Sequence, residues 1–323
     1  MRIHAIFCCT ATLLCTAPPP AVSQTYPAKP VRFIVPFAPG GPTDILARSV
    51  AQKLGDALAV SVVVDIRGGA GGTIGTEIVA KSPPDGYTLL MGATSTHAIS
   101  PNLYTRIGYD PIKDFAPVTL VANTPSLLAV HPALPVRSVR DLIALAKSRP
   151  GELSYASAGS GSNNHLAGVL FCKMAGVNMA HIPYKGSGQA LVDVMAGQVP
   201  VMFNNTASVM PFVKHGKLRA IALTSAERSL LLPELPTVAE SGLPGFEVRS
   251  WHGVFLPAAT PPEITARLNA EIVKILRLPD VKERLNAQGV ELGGSSPEEF
   301  AAFVRKELAK WAIIVKESGA RVD

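Results

Sequence analysis

The chain has 323 residues, with 30 Lys and Arg against 24 Asp and Glu, and a formal net charge of +6. Its length suggests about two domains, and a hydrophobic share of 47% is enough for sizeable cores. The basic residues are scattered and form no basic-aromatic run, which argues against a nucleic-acid partner, whereas a modest positive field favours the approach of anions.

The first 23 residues have the pattern of a secretory signal peptide. Arg2 and His4 precede an apolar stretch from Ala5 to Leu14, and small residues follow up to Ala21-Val22-Ser23. The apolar stretch is shorter than the roughly 20 residues that a membrane-spanning helix needs. We therefore predict an exported chain that is cleaved after Ser23. After cleavage Cys172 would be the remaining cysteine, which excludes an intrachain disulfide and a thiolate zinc site.

The first predicted unit is a strand, a glycine turn and a helix. Val31–Phe37 is a short apolar run rich in Val, Ile and Phe, which is typical of a buried strand. Pro39-Gly40-Gly41 makes the turn, and Pro42 suits the first position of a helix. Apolar residues then recur at helical spacing up to Leu54, and Gly55 is the predicted helix end.

This unit recurs along the chain. Further strands are predicted at Val60–Asp65, Tyr87–Met91, Leu127–Val130, Leu153–Ala156, Ala180–Pro183, Val199–Phe203 and Leu218–Leu223. Further helices are predicted at Thr73–Lys81, Ser138–Ser148, Asn164–Ala175, Ala190–Ala196, Ser208–His215, Pro262–Leu276, Val281–Gln288 and Pro297–Ser318. Alternating strands and helices indicate an α/β protein with parallel sheets covered on both faces. The series divides in two, with Val118–Val130 and Leu218–Leu256 as predicted crossing segments.

The glycine-rich loops fall where a strand ends and a helix begins. Ligands of open α/β sheets bind outside the carboxyl ends of strands, and helix N-termini attract anions through free N–H groups and a partial positive charge. Glycine also lets the backbone come close to a ligand. Several such loops in each half therefore predict an anion-binding site.

Motifs of other functional classes are missing from the sequence. Gly69–Gly75 has G-x-G-x-x-x-G spacing, which departs from the dinucleotide fingerprint, and no Walker lysine motif occurs. No G-x-S-x-G, H-E-x-x-H or C-x-x-C motif occurs, and the histidines are scattered, so we predict no catalytic residue, metal site or cofactor. His97 and His165 adjoin candidate loops, but a structural role is favoured for both. An exported hydrolase or lyase acting on a small organic acid remains the alternative, and an interaction scaffold is a third class.

Two charged residues of the loops have open roles. Asp44 falls in the first turn of a predicted helix, where a carboxylate offsets the helix dipole, and we favour this role over contact with a ligand amino group. Lys185 could pair with an anion or simply be solvated. Arg67 is predicted to begin a solvent-exposed loop rather than to clamp a ligand.

Several long segments together resemble a known family. They are YPAKPVRFIVPFAPGGPTDILAR (26–48), PPDGYTLLMGATSTHAISPNLY (83–104), GSGSNNHLAGVLF (159–171), IPYKGSGQALVDVMAGQV (182–199) and LPTVAESGLPGFEVRSWHGVFLPAATPPEI (235–264), followed by a capped last helix. In this order they are similar to the solute-binding proteins of tripartite tricarboxylate transporters, also called Bug receptors. The resemblance covers essentially the whole chain after the signal peptide.

The resemblance implies a type II periplasmic-binding-protein-like fold, with two doubly wound α/β lobes, two crossing segments and a ligand cleft between the lobes. We expect residues 24–123 plus 226–323 to form lobe 1 and residues 124–225 to form lobe 2. It further implies a monomer in the periplasm that captures a small carboxylate and delivers it to membrane permease subunits or to a sensor kinase.

The resemblance also carries over the loops that hold the ligand, mainly through main-chain groups. The expected ligand-binding residues are Phe37, Gly40, Gly41, Asp44, Gly69, Ala70, Thr94, Ser95, Thr96, Ser157, Gly159, Gly161, Ser162, Asn163, Asn164, Tyr184, Asn204 and Asn205. One departure is Asn204, which stands where family members commonly have Asp. If this position faces the cleft, the loss of its charge is expected to alter ligand preference.

Overall fold

The structure, a computed structural model, describes residues 26–318. Its strands are β1 Val31–Val35, β2 Val62–Ile66, β3 Thr88–Ala93, β4 Phe115–Val130, β5 Ser154–Ser157, β6 Ala180–Pro183, β7 Val201–Asn205, β8 Arg219–Leu223 and β9 Arg249–Pro257. Its α-helices are α1 Pro42–Leu58, α2 Thr73–Ala80, α3 Ser100–Leu103, α4 Val139–Ser148, α5 Asn163–Ala175, α6 Ser187–Met195, α7 Thr206–Lys214, α8 Pro262–Leu276, α9 Pro279–Asn286 and α10 Pro297–Ser318. The predicted signal peptide lies outside the described residues.

The strands form one path in the order β2-β1-β3-β9-β4-β7-β5-β6, with β8 also paired to β4. The outer strands pair in parallel, β1 with β2 and β3, and β5 with β6 and β7. The central pairs, which involve β4 and β9, are antiparallel. The sheets are therefore mixed, and the prediction of purely parallel pairing was wrong at their centre.

The long strand β4 belongs to both halves of the fold. Its residues 115–125 pair with β9, and its residues 126–130 pair with β7 and β8. The predicted crossing segment at 118–130 is thus a continuous strand, and the second one contains β8 and β9. Long strands at this position let the two halves share hydrogen bonds while each keeps its own helices.

Helices cover both faces of the β1–β3 half. Phe33 and Val35 on β1 pack in a core with α1 and α8, whereas Ile34 points into the other large core, which includes residues of α5 and α10. A third core lies between β7, α6 and α7. This burial on both faces explains why the strands read as continuous apolar runs. No helix within residues 26–318 is long and apolar enough to cross a membrane.

Several helices and strands begin or end at other residues than predicted, and three of these differences lie near the loops. Gly55 lies inside α1, which continues to Leu58 and ends with Ala59 in the left-handed conformation (φ 54°). The predicted loop at 92–96 is instead the end of β3 followed by a π-helical turn at Ser95–Ile99. Asn204 and Asn205, predicted as a turn, are the last residues of β7, since their backbone pairs with β4.

Candidate functional site

A cavity lies between the loops of the two halves. It contains about 350 Å³ of empty space, part of which opens to solvent. Its lining residues are Phe37, Gly41, Pro42, Thr43, Ala93, Ser95, Ala158, Ser162, Asn163, Asn164, Ser187, Ser250 and His252. None of these side chains is a carboxylate, a lysine or an arginine.

The N-termini of α1, α5 and α6 all reach this cavity, through Thr43, Ser162–Asn164 and Ser187. The intrahelical bonds of these helices begin with the amides of Ile45, Leu166 and Ala190, which donate to the carbonyls of residues 41, 162 and 186. The amides before them have no partner within their helix. Three helix ends therefore direct N–H groups and partial positive charge at one space, which favours an anion.

The loops of the two halves touch around the cavity. The amide of Ala38 donates to the carbonyl of Lys185 at 3.3 Å, and the Tyr104 hydroxyl donates to the carbonyl of Ser160 at 2.8 Å. A Cβ added at Gly188 would lie 2.0 Å from the carbonyl oxygen of Pro39. The structure is thus a closed arrangement in which glycine permits close approach of the two loops.

The structure brings six of the predicted site residues together in the cavity wall. They are Phe37, Gly41, Ser95, Ser162, Asn163 and Asn164. Four others, Gly69, Ala70, Gly159 and Tyr184, line a neighbouring open depression together with Lys185. Arg67 is half exposed and pairs with Asp65 at 3.0 Å, as expected for a loop start outside the cavity.

The remaining predicted residues lie behind the wall or in the loops that form it. Asp44 is buried, accepts a hydrogen bond from the amide of Gly40 at 2.9 Å and pairs with Arg48 at 2.7 Å. Its carboxylate therefore has structural partners, as favoured from the sequence. Asn204 Oδ1 accepts from Asn164 Nδ2 at 3.0 Å, so Asn204 contacts a wall residue from outside.

The threonines of the β3 end are buried in local hydrogen bonds. Thr94 Oγ1 accepts from the amide of Trp251 at 2.8 Å, and Thr96 Oγ1 lies 2.9 Å from His97 Nδ1. Asn205 Oδ1 caps α7 by accepting from the amide of Ala207 at 3.0 Å. These side chains stabilise the backbone around the site and do not line the cavity.

A stacked pair of histidines supports Ser157, the last residue of β5, and Gly161 in the loop that follows. The rings of His165 and His181 are 4.0 Å apart and nearly parallel. The amide of Gly161 donates to His165 Nδ1 at 3.2 Å, and Ser157 Oγ lies 2.6 Å from His181 Nε2. Burial lowers the pKa of His165 to about 3 and that of His181 to about 4, so both rings are neutral at neutral pH.

Four wall residues outside the expected set, Pro42, Thr43, Ala158 and Ser187, lie in loops that the resemblance already implied to hold the ligand, at 39–44, 157–164 and 184–188. Nothing in the sequence indicated Ala93, Ser250 and His252 as wall residues. Ser187 was assigned to a loop because α6 was predicted to begin at Ala190, whereas it begins at Ser187. Ser250 and His252 lie on β9, inside a segment predicted only as a crossing. The antiparallel return of this strand into the sheet had no signal in the sequence. Burial lowers the pKa of His252 to about 4, which leaves its ring neutral.

A family model described as tripartite tricarboxylate transporter family receptor matches residues 46–320. Protein BugT of Bordetella pertussis is 40% identical over 323 residues, which cover 100% of this chain and 98% of that protein. Among solved structures, R. palustris Rpa4515 with adipate has a TM-score of 0.89 at 41% identity, and covers 92% of this chain and 100% of its own.

A second solved structure, MatC (Rpa3494) from Rhodopseudomonas palustris with bound malate, has a TM-score of 0.86 at 34% identity, over 90% of this chain and 100% of its own. The type II periplasmic-binding-protein-like fold expected from the sequence is therefore confirmed. The family match and the full-length similarity to BugT agree with each other. The chain belongs to the tripartite tricarboxylate transporter receptor family, in which the Bug proteins are found.

Proposed function

We propose that this protein is a periplasmic solute-binding protein that captures a small carboxylate in the cavity between its lobes. The observation that carries the proposal is the convergence of the α1, α5 and α6 N-termini on one cavity without charged side chains. Family membership supports it, and so do the related structures that contain adipate and malate.

The ligand is held by main-chain N–H groups and hydroxyls instead of an arginine clamp. Hydrogen bonds to a charged acceptor contribute about 1.5–3 kcal/mol each, so a few of them from both lobes are enough for tight binding. The cavity offers the amides at the helix ends that lack a capping partner and the hydroxyls of Ser95, Ser162 and Ser187. Within each lobe these groups are fixed by the helices that carry them, which keeps the entropic cost of ordering them low.

The lobes of this proposal are residues 24–123 plus 226–323 and residues 124–225. The chain passes between them in β4 and in the segment from β8 to β9, and a hinge at these crossings would open the cleft. We also propose export by the signal peptide, action as a monomer and delivery of the ligand to permease subunits of a tripartite tricarboxylate-type transporter or to a sensor kinase.

The rival function, an exported hydrolase or lyase, is favoured by one contact, Ser157 Oγ at 2.6 Å from His181 Nε2. Against it, the Ser157 hydroxyl is buried and also exchanges hydrogen bonds with the amide and carbonyl of Gly159. A hydroxyl held in this way stabilises its own loop and is poorly placed to attack a substrate. Binding without turnover is therefore the better reading of the site.

Thermal-shift screening against mono-, di- and tricarboxylates, amino acids and aromatic acids tests the proposal. A ligand that binds only the native state stabilises it by about 2.7 kcal/mol at a hundredfold excess over Kd. We expect a small carboxylate to raise the melting temperature and to be recovered unchanged. Turnover of the acid would support the hydrolase or lyase, and stabilisation by no small molecule would support an interaction scaffold.

A further inference from the structure

His252 has a special place in the cavity wall. It lies on β9 between two neighbouring strands, where its register partners are Ala93 on β3 and Ala122 on β4. Both partners are small, so the imidazole is the large polar side chain of this part of the wall. Strand β9 lies in the segment that crosses between the lobes, and His252 shares the cavity wall with residues of the three helix N-termini.

The ring of His252 is buried without being satisfied. Its residue is 1% exposed, and Nδ1 has no hydrogen-bond partner within the described part of the chain. Buried polar atoms almost always have a partner, from the protein, from water or from a ligand. An imidazole in a ligand-cavity wall with an unpaired nitrogen therefore suggests that its partner arrives with the ligand.

The chemistry of that partner follows from the surroundings of the ring. Burial keeps His252 neutral, so it offers one N–H donor and one acceptor nitrogen. The same wall carries the hydroxyls of Ser95 and Ser250, and none of its lining side chains is a carboxylate that could pair with an ammonium group. A ligand oxygen fits these donors, whereas a second cationic group does not.

Resting on the proposed function, we infer that His252 is a specificity-determining residue that hydrogen-bonds the second polar end of the ligand. The helix N-termini hold one carboxylate, and His252 selects an acid with a second carboxylate over a monocarboxylate of the same length. A site built to hydrogen-bond a ligand group strongly rejects the analogue that lacks it, because its own buried groups then stay unpaired.

The test uses matched pairs of acids: succinate with butyrate, glutarate with pentanoate, and adipate with hexanoate. Calorimetry on the full mature protein should show that at least one dicarboxylate binds tighter than its monocarboxylate by about tenfold or more. His252→Phe should remove at least tenfold of that preference while it changes the Kd of the monocarboxylate by less than about threefold. The exposed His215, changed to Gln, is the matched control and should bind as the wild type does.

Two further measurements keep the inference falsifiable if His252→Phe does not fold. His252→Gln retains a hydrogen-bonding side chain and should keep part of the preference. In the wild type labelled with ¹⁵N-histidine, the best dicarboxylate should shift the ring nitrogens of His252 more than its monocarboxylate does. An unmoved His252 ring with the dicarboxylate bound would overturn the inference.

The failures of the two proposals are distinguishable. Equal affinity for both members of every pair, or an equal loss of both in His252→Phe, would overturn the role of His252 and leave carboxylate binding intact. Binding of no acid by the wild type would refute the proposed function, and the role of His252 with it.

Discussion

His97 shows how a buried histidine can stabilise this fold as an uncharged aromatic residue. Its ring stacks on Phe255 at 3.9 Å and meets the edge of Phe115 at 4.8 Å. Nδ1 lies 2.9 Å from Thr96 Oγ1, and burial lowers the pKa of the ring to about 3. An unfolded histidine has a pKa of about 6.5, so the unfolded chain binds a proton that the native site refuses.

We expect His97→Phe to reduce the pH dependence of stability. A depressed native pKa gives a contribution that is fully present above pH ~6.5 and is lost as the pH falls towards the native value. Between pH 7.5 and 5 this residue alone should cost the wild type about 2 kcal/mol of unfolding free energy. Urea titrations at the two pH values should show a smaller difference in His97→Phe by about that amount. An equal pH dependence in both proteins would contradict the buried neutral state.

At the residue scale the sequence indicated the wall only in part. Gly41, Ser162 and the two asparagines that follow it were expected from the family resemblance, which agrees with the predicted anion-binding loops before helices. Thr94 and Thr96 belong to the same loop as Ser95, yet they face inwards, since the chain coils into a π-helical turn there. His252 depends on which strands become neighbours, and no local pattern carries that information.

At the scale of secondary-structure elements, a serine that caps a helix can contribute both to stability and to the proposed binding. Ser162 Oγ accepts from the amide of His165 at 3.3 Å at the start of α5, in the cavity wall. Ser138 Oγ accepts from the amide of Asp141 at 3.1 Å at the start of α4, outside the cavity wall. The two serines thus have the same structural task, while Ser162 alone of the pair can also donate its hydroxyl proton to a ligand.

Ser162→Ala and Ser138→Ala are therefore a matched pair of variants. Each should cost about 1 kcal/mol of stability through the lost cap. Only Ser162→Ala should also weaken carboxylate binding, by about tenfold, because one hydrogen bond to a charged acceptor is lost. Denaturation and calorimetry on both variants check this. Equal affinity losses in the two, or none in Ser162→Ala, would show that the α5 end does not hold the ligand.

The pattern of apolar residues, glycines and prolines predicted most helices and strands, with differences of a few residues at their ends. Val31–Val35, Ala180–Pro183 and α8 are local: apolar periodicity and flanking glycine or proline define them. The full sixteen-residue length of β4 was not predicted. In the residues before Leu127, apolar and polar side chains alternate irregularly, and Pro117 lies among them. Their extended form comes from pairing with β9, a partner more than a hundred residues away.

At the scale of the whole molecule, the loops of the two halves meet closely at a glycine. Gly188 is in the first turn of α6, where alanine is at least as compatible with a helix. In the closed arrangement, however, its Cβ would lie 2.0 Å from the backbone oxygen of Pro39. A methyl group at this position should thus be harmless in an open form and incompatible with the closed one.

We expect Gly188→Ala to keep the stability of the unliganded protein and to lose at least about a hundredfold in affinity, since only the closed form offers both lobes to the ligand. Small-angle scattering should show a smaller radius of the wild type with ligand and no such change in the variant. The neighbouring Gln189, which is exposed, gives the control Gln189→Ala. Normal binding and compaction of Gly188→Ala would mean that the lobes meet elsewhere.

The most direct test of the main-chain cradle is a titration of ¹⁵N-labelled protein with adipate, or with the best acid from thermal-shift screening, followed by amide NMR. The largest downfield shifts are expected at the helix N-termini, at Thr43, Asn163, Asn164 and Ser187, because their N–H groups would then donate to a carboxylate. Shifts at all three helix ends, together with an acid whose own spectrum shows that it has not been converted, would support binding by main-chain amides. Saturation by the acid with these amides unmoved, or with the response centred on the Arg67 side chain, would contradict it.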